Sequence, residues 1–426
     1  MKIAVDNPEF SYVTDNTNEI DSSSAFLLTQ QNKKYFHDFK NCKILTPKEL
    51  IELFGIDKKI KIIGITGTNG KTTTAACIYS IILDLGKKVG LQGTRGCFVN
   101  DKRVAKKGLT TPSILETINN LKVAMDSGCE YFVMEVSSHA IAQKRVEGLV
   151  FYLKVFTNLT QDHLDFHKTL ENYISIKSSF FSDESLKLIN KDDKKIRFNP
   201  KNCYTYGLEN PATYKIVAYS IKDGIEAVLQ KIDKLYEFSS SLYGVFNLYN
   251  LTASLAAVDL LKISDLETIC DVVANFAGVE GRMEIVSHNP LVIVDFAHTP
   301  DGMKKVFESL KGRDLVVVFG AGGDRDKTKR AKMGEIARRY AKKVIITSDN
   351  PRSENPDDII KDILEGINSK ENLFVQEDRK DAIKLALKMQ KESEVLLILG
   401  KGDEAFQEIR GDKLPFSDKE VVRGML

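Results

Sequence analysis

One segment constrains this chain more than any other. The apolar run Lys61-Ile-Ile-Gly-Ile-Thr66 leads into Gly67-Thr-Asn-Gly-Lys-Thr72 and then directly into a helical pattern over 71–85, closed by Gly86. A short apolar run followed by glycines and a helix reads as strand, loop and helix. Glycines let the backbone turn its N–H groups toward phosphate oxygens, and the helix N-terminus adds partial positive charge. In that geometry Gly67, Thr68, Asn69 and Gly70 cradle a phosphate chain, Lys71 reaches the outer phosphates and the Thr72 hydroxyl faces a Mg²⁺. The outer glycine, Gly64, stands one residue earlier than the strict GxxxxGK[ST] spacing. The bland alternative is an ordinary glycine-rich turn between strand and helix.

The same alternation continues. Residues 131–136 and 152–157 read as further strands, and a second series begins near 291 with LVIVDF, DLVVVFG, KVIITS and EVLLILG. Strands alternating with helices imply parallel sheets covered by helices, so the fold class is α/β. Residues 200–240 mix period-2 alternation with turn residues and resist assignment. The first 57 residues are rich in Asn, Ser, Asp and Lys and have only short apolar runs, which predicts a small module with little core of its own. Boundaries fall near Asp57 and Arg282. They divide the chain into an N-terminal module (1–57), a central nucleotide-binding domain (58–282) and a C-terminal Rossmann-like domain (283–426).

Composition excludes several classes. Sixty-one basic and 59 acidic residues leave a net charge of +2, which argues against a dedicated nucleic-acid binder. No stretch of ~18 apolar residues is present to span a membrane. Asp6 and Glu9 stand where a signal peptide would be apolar. The six cysteines form no CxxC pair and fit reduced thiols, hence a cytoplasmic location.

Glu135 ends the strand YFVMEV, and the carboxyl end of a parallel strand beside a phosphate loop is a natural Mg²⁺ position. His163 and His167 are four apart, a spacing that also suits zinc, but no HExxH surrounds them and oxygen-rich neighbours favour Mg²⁺. Hydrogen-bonded loop histidines remain an alternative. Lys177 sits in a helical pattern and by itself reads as a surface lysine. Asn190-Lys-Asp-Asp193 mimics the guanine-reading NKxD of nucleotide switches, yet the chain has no DxxG, so a turn after a strand reads better. Gly320-Ala-Gly-Gly323 fails GxGxxG because position 325 is Arg, which speaks against a nicotinamide site.

Nine segments in order carry a resemblance: GTNGKT (67–72), Thr110-Thr-Pro112, EVSSHA (135–140), TNLTQDHLDFH (157–167), GVFNLYN (244–250), GRME (281–284), DFAHTPDG (295–302), GAGGDRDKTKR (320–330) and TSDNPRSENP (347–356). Together they resemble the Mur ligases of peptidoglycan synthesis, over about 58–426. The resemblance implies three α/β domains and an ATP-dependent amide ligase that adds meso-diaminopimelate to UDP-N-acetylmuramoyl-L-Ala-D-Glu in the cytoplasm. It implies small-molecule partners only, a monomer, and no nucleic acid or membrane.

It also implies roles. Thr72, Glu135 and His163 match Mg²⁺ positions, and the lysine matching Lys177 is carbamylated by CO₂ in the family, which places an anion beside the metal. Lys71, Lys177, His163 and His298 match catalytic positions, and Asn247, Arg282 and Asp295 surround the nucleotide. Thr17, Thr110, Thr111, Ser137, Gln143 and Arg145 match the muramoyl-dipeptide site. Arg325, Asp349, Asn350, Pro351, Arg352, Gly400 and Glu404 match the amine site, where the Arg352 guanidinium suits the distal carboxylate that diaminopimelate has and lysine lacks. The chain departs from the family at Asn16-Thr17-Asn18, where Asp-Ser-Arg is usual, at Leu109, where Asn is common, and at Asp403, where the family has His. Rival readings are a lysine-adding ligase, a folylpolyglutamate synthase and, in another class, a nucleotide switch.

Overall fold

The computed structural model describes residues 1–35, 42–222 and 224–426, and the chain is α/β with two compact units. The first unit comprises Met1–Tyr219, Glu226–Ser240 and Leu248–Phe276; the second comprises Ser220–Ile225, Ser241–Asn247 and Ala277–Leu426.

The first unit holds two sheets. Strands Lys2–Ala4, Tyr12–Thr14, Ser24–Leu27 and Lys43–Leu45 form a four-stranded sheet in sequence order. Its apolar residues Ile3, Val13, Ala25 and Leu27 share one buried cluster with Ile114, Leu115 and Ile118 of the helix Ile114–Asp126. The N-terminal residues therefore complete a common core, as expected of a segment with too few apolar residues to fold alone. The second sheet has eleven strands. Its parallel centre runs Leu186–Asn190, Phe151–Phe156, Lys61–Thr66, Tyr131–Glu135 and Val89–Gly93. These strands are buried nearly throughout, which is why they read as continuous apolar runs. The ambiguous 200–240 region resolves into Cys203–Gly207, Tyr214–Ser220, Ile225–Lys231 and Lys234–Ser240, which extend this sheet to one edge. Partly exposed faces explain their mixed alternation.

The second unit carries a six-stranded sheet with Glu284–His288 antiparallel at one edge, then Leu291–Asp295, Glu394–Leu399, Asp314–Phe319, Lys343–Ile346 and Leu373–Val375 in parallel. Two apolar clusters cover its two faces, one built on Val317, Phe319 and Met333, the other on Val316, Val318 and Ile383. A hairpin, Phe406–Ile409 with Asp412–Pro415, follows the last parallel strand. Among the described residues no helix is long and apolar enough to cross a membrane.

Candidate active site

In the first unit the site begins at the carboxyl ends of parallel strands, where α/β sheets place ligands. Strand Lys61–Thr66 delivers the loop to the helix Lys71–Asp84. Gly67 has φ 157°, and a Cβ there would lie 1.9 Å from Thr157 Oγ1, so only glycine fits. The loop is braced from the next motif. Asn158 accepts the Asn69 N–H at 3.0 Å and donates to Asn69 O at 3.0 Å, and its carbonyl takes the Thr68 N–H at 2.7 Å. Thr157 Oγ1 donates to Asn69 O at 2.7 Å. Lys71 curls back, its Nζ donating to Gly67 O and Thr68 O at 2.8 Å each.

Thr72 Oγ1 donates to Glu135 Oε2 at 2.9 Å, so these two predicted Mg²⁺ residues meet. Glu135 also takes the Thr94 N–H at 2.9 Å on its other oxygen. Thr94 contacts Thr110 at 3.1 Å. Thr111 Oγ1 donates to Glu135 O and accepts the Ser137 N–H, both at 2.9 Å. Arg145 donates to Thr111 O at 2.9 Å and to Gln143, which in turn accepts from Gln31 of the N-terminal residues at 3.2 Å. Thr110, Thr111, Ser137, Gln143 and Arg145 thus form one connected network with Glu135 and Thr72. Thr17 lies outside it, in the short turn Thr17–Glu19 capped by Asn16.

Lys177 is not on the surface. It is buried in the helix Leu170–Ser179, its Nζ donating to Thr66 Oγ1 at 3.2 Å and Gly67 O at 2.9 Å. Burial, reinforced by the nearby Lys71 charge, holds its pKa well below the ordinary lysine value. His163 sits at a left-handed position, φ 53°, with its ring 4.9 Å from that of His139. His167 is buried and its Nε2 meets Ser138 Oγ at 2.9 Å, a structural bond rather than a zinc pair with His163. Among the described residues no three His, Cys, Asp or Glu cluster as a metal site. A Thr–Glu pair beside a phosphate loop nevertheless fits Mg²⁺, which uses one or two carboxylates and takes its other oxygens from phosphates and water.

The NKxD look-alike is structural. Asp193 accepts the Leu159 N–H at 2.6 Å, and Asp192 accepts those of Leu208, Glu209 and Asn210. Burial would raise the Asp192 pKa, but these bonds bring it to about 2.

In the second unit Asp295 is buried at the end of its strand and takes the N–H groups of Met283 at 2.8 Å and Ala297 at 2.7 Å. Burial raises its pKa, while Arg282 pulls it down. The Arg282 guanidinium lies 4.4 Å from the Phe296 ring centre, and His298 Nδ1 is 2.9 Å from Phe296 O. Asn247, also buried, donates to Tyr243 O at 2.9 Å. Three residues further on, in the first unit, Asn250 Oδ1 accepts from Thr74 at 3.4 Å.

The residues expected at the amine site converge more tightly. Gly323 and Pro351 approach so closely that a Cβ on Gly323 would lie 1.9 Å from Pro351 O, which gives the glycine run a packing role. Arg352, at φ 53°, donates to Gly323 O at 2.6 Å and to Glu408 at 3.2 Å. Asn350 donates to Glu404 Oε2 at 2.9 Å. Asp349 lies 3.9 Å from the buried Arg379, and a Cβ on Gly400 would be 2.3 Å from its Oδ2. Arg325 is exposed, with one contact to Asp324 O at 3.4 Å. Sequence reading missed Gln31, Thr94, Asn158, Lys401 and Glu408. Asn158 lies within the segment TNLTQDHLDFH, whereas Gln31, Thr94 and Glu408 stand in none of the nine segments.

Residues 65–258 match the Mur ligase middle domain and 281–402 the Mur ligase glutamate ligase domain. The chain is 53% identical over 429 residues to the UDP-N-acetylmuramoyl-L-alanyl-D-glutamate–2,6-diaminopimelate ligase of Wolinella succinogenes, covering 100% of this chain and 98% of the relative. It is 52% identical to the ligase of that name in Helicobacter pylori, over 97% of this chain and 95% of the relative. A solved structure of a ligase of that name superposes with TM-score 0.70 at 31% identity, over 97% and 93% of the two chains. A Mycobacterium tuberculosis folylpolyglutamate synthase superposes at TM-score 0.66 and 16% identity, over 83% and 91%, a likeness of fold alone.

Proposed function

Because the chain belongs to the Mur ligase family, we propose that it is an ATP-dependent ligase joining meso-diaminopimelate to the D-Glu carboxylate of UDP-N-acetylmuramoyl-L-Ala-D-Glu. The reading is carried by one observation: the phosphate loop, the Thr72–Glu135 pair and Thr110, Thr111, Ser137, Gln143 and Arg145 belong to one bonded network. Such a network suits a reaction in which ATP and a carboxylate must meet.

A carboxylate resists attack because it is anionic and lacks a leaving group. Transfer of the γ-phosphoryl group makes an acyl phosphate and ADP. The incoming amine then attacks the acyl carbon, loses its proton, and phosphate leaves from the tetrahedral intermediate. Phosphoryl transfer asks mainly for positioning and charge neutralisation. In this reading the N–H groups of residues 67–72 hold the phosphates, and Lys71 exchanges its loop carbonyls for phosphate oxygens. Arg145 faces the dipeptide carboxylates. Asn247, Arg282, Asp295 and His298 serve the nucleotide. Thr72, Glu135 and His163 would hold Mg²⁺, which neutralises phosphate charge.

Lys177 is assigned a carbamate. CO₂ reacts with the neutral amine, forming an N–C bond and releasing a proton, and burial favours that form by lowering the Lys177 pKa well below the ordinary lysine value. The carbamate would supply an anion supporting the metal. Arg352, Arg325, Asp349, Asn350, Pro351, Gly400 and Glu404 form the amine site, and Thr17 contacts the uridine end. The three-part division at 57 and 282, a monomeric state, a cytoplasmic location and the absence of membrane or nucleic-acid partners belong to the same proposal.

The test is phosphate release from ATP. It should require the UDP-dipeptide and diaminopimelate together, with lysine a poor substitute. Release with lysine alone, or with neither amine, would overturn the reading.

A further inference from the structure

Lys401 directly follows Gly400 beyond the strand Glu394–Leu399 and is completely buried. Its Nζ donates to Asn350 Oδ1 and to Glu404 Oε2, each at 2.9 Å. Asn350 Nδ2 donates to the same Glu404 oxygen at 2.9 Å, and the Glu408 N–H donates to Asn350 Oδ1 at 2.9 Å. The three side chains close a ring.

Two consequences follow. Asn350 Oδ1 accepts two donors, so its amide faces one way only, with Nδ2 toward Glu404. Glu404 Oε2 also receives two donors, which leaves Oε1 for an incoming ammonium. The second consequence concerns charge. A buried ammonium is costly and contributes little net stability, since an apolar side chain often serves as well. Its +1 here offsets the −1 of Glu404, so the pair presents no net charge. Diaminopimelate carries two carboxylates and two ammonium groups and is neutral overall, whereas lysine carries +1.

We propose that Lys401 is a positioning residue for selectivity, which orients Asn350 and balances Glu404 so that the neutral double zwitterion is preferred over an amine with a bare distal ammonium. This rests on the diaminopimelate-ligase reading. Without the Lys401 charge the site becomes one unit more negative and favours the more positive amine.

The experiment compares wild type, Lys401→Gln and Lys401→Met by kcat/KM for diaminopimelate and lysine. Where lysine is not turned over, its inhibition constant against diaminopimelate replaces kcat/KM. Both variants should lose preference for diaminopimelate by about tenfold or more, with the KM values for ATP and UDP-dipeptide unchanged. An unchanged preference in the soluble variants overturns the proposal, whatever their melting temperatures. If the methionine variant does not fold, the glutamine variant decides, since its amide keeps donors in place; failure of both to fold makes Lys401 structural and also overturns it. A wild type showing no diaminopimelate-dependent phosphate release overturns the underlying reading instead.

Discussion

The phosphate-loop end of the first unit and the Asp349–Arg352 end of the second solve opposite problems by different means. The first must receive a polyanion, and it prepares for one with backbone. Its loop is held open by Thr157 and Asn158, and its one loop cation, Lys71, rests on carbonyl oxygens. The second, in the proposed reading, tells two amines apart, and it is built from closed charge pairs: Arg352 with Glu408, Lys401 with Glu404, Arg379 with Asp418, and Arg330 with Glu354. A carbonyl oxygen holds an ammonium less strongly than a phosphate oxygen does, so these loop bonds exchange readily for phosphate. A cation already paired to a carboxylate gives up its partner only to a ligand that supplies the missing charge, which is how a polar site rejects an analogue lacking one group.

The contrast can be broken at several points. Lys71→Ala should lower phosphate release on the order of 10³-fold while leaving the melting temperature near wild type, because its loop bonds to Gly67 O and Thr68 O are to neutral carbonyls, and neutral hydrogen bonds contribute little net stability. A large fall in melting temperature would mean that Lys71 is structural. Lys177→Ala should also abolish activity, and small carboxylates added to the assay should restore part of it. Wild-type activity in that variant would remove the carbamate.

Arg379→Met probes the other end. Arg379 and Asp418 are both fully buried and joined by two 2.8 Å bonds, so the variant strands a carboxylate and should cost about 3–5 kcal/mol. Denaturant unfolding with less than about 1 kcal/mol lost would contradict a paired interior. Arg352→Lys keeps the charge but not the planar fork, so KM for diaminopimelate should rise about tenfold to a hundredfold, with ATP unaffected.

The smallest effect is a pH dependence. Glu354 is held at about 2, below its ordinary 4.5, chiefly by the hydrogen bonds from Arg330. A depressed carboxyl stabilises the fold above its unfolded value, and that contribution is lost as pH falls from about 4.5 toward 2. Glu354→Gln should flatten this part of the stability profile, and an unaltered acid limb would show that the pair is immaterial.

The same contrast explains what the sequence disclosed. The strands at 61–66 and 131–135 and the helix after Lys71 were legible because burial on both faces writes an apolar run and a glycine loop writes itself within six residues. Thr72 and Glu135 were legible as motif ends. The distant charge pairs were not, because sequence spacing says nothing of partners so far apart: Arg379 and Asp418 are 39 residues apart, Arg352 and Glu408 are 56. Lys177 was misread without the family resemblance, since a helical lysine is usually exposed and only the tertiary core decides that this one is buried. The strands between 203 and 240 were obscure because they extend an edge with one partly wet face, and their alternation carries few apolar residues.

The most direct measurement is a competition read by mass spectrometry. With ATP, Mg²⁺, the UDP-dipeptide and equal diaminopimelate and lysine, the product should be the diaminopimelate-containing UDP-tripeptide in large excess, with one phosphate released per amide formed. A lysine-containing tripeptide as the main product, or phosphate released without a tripeptide, would contradict the account.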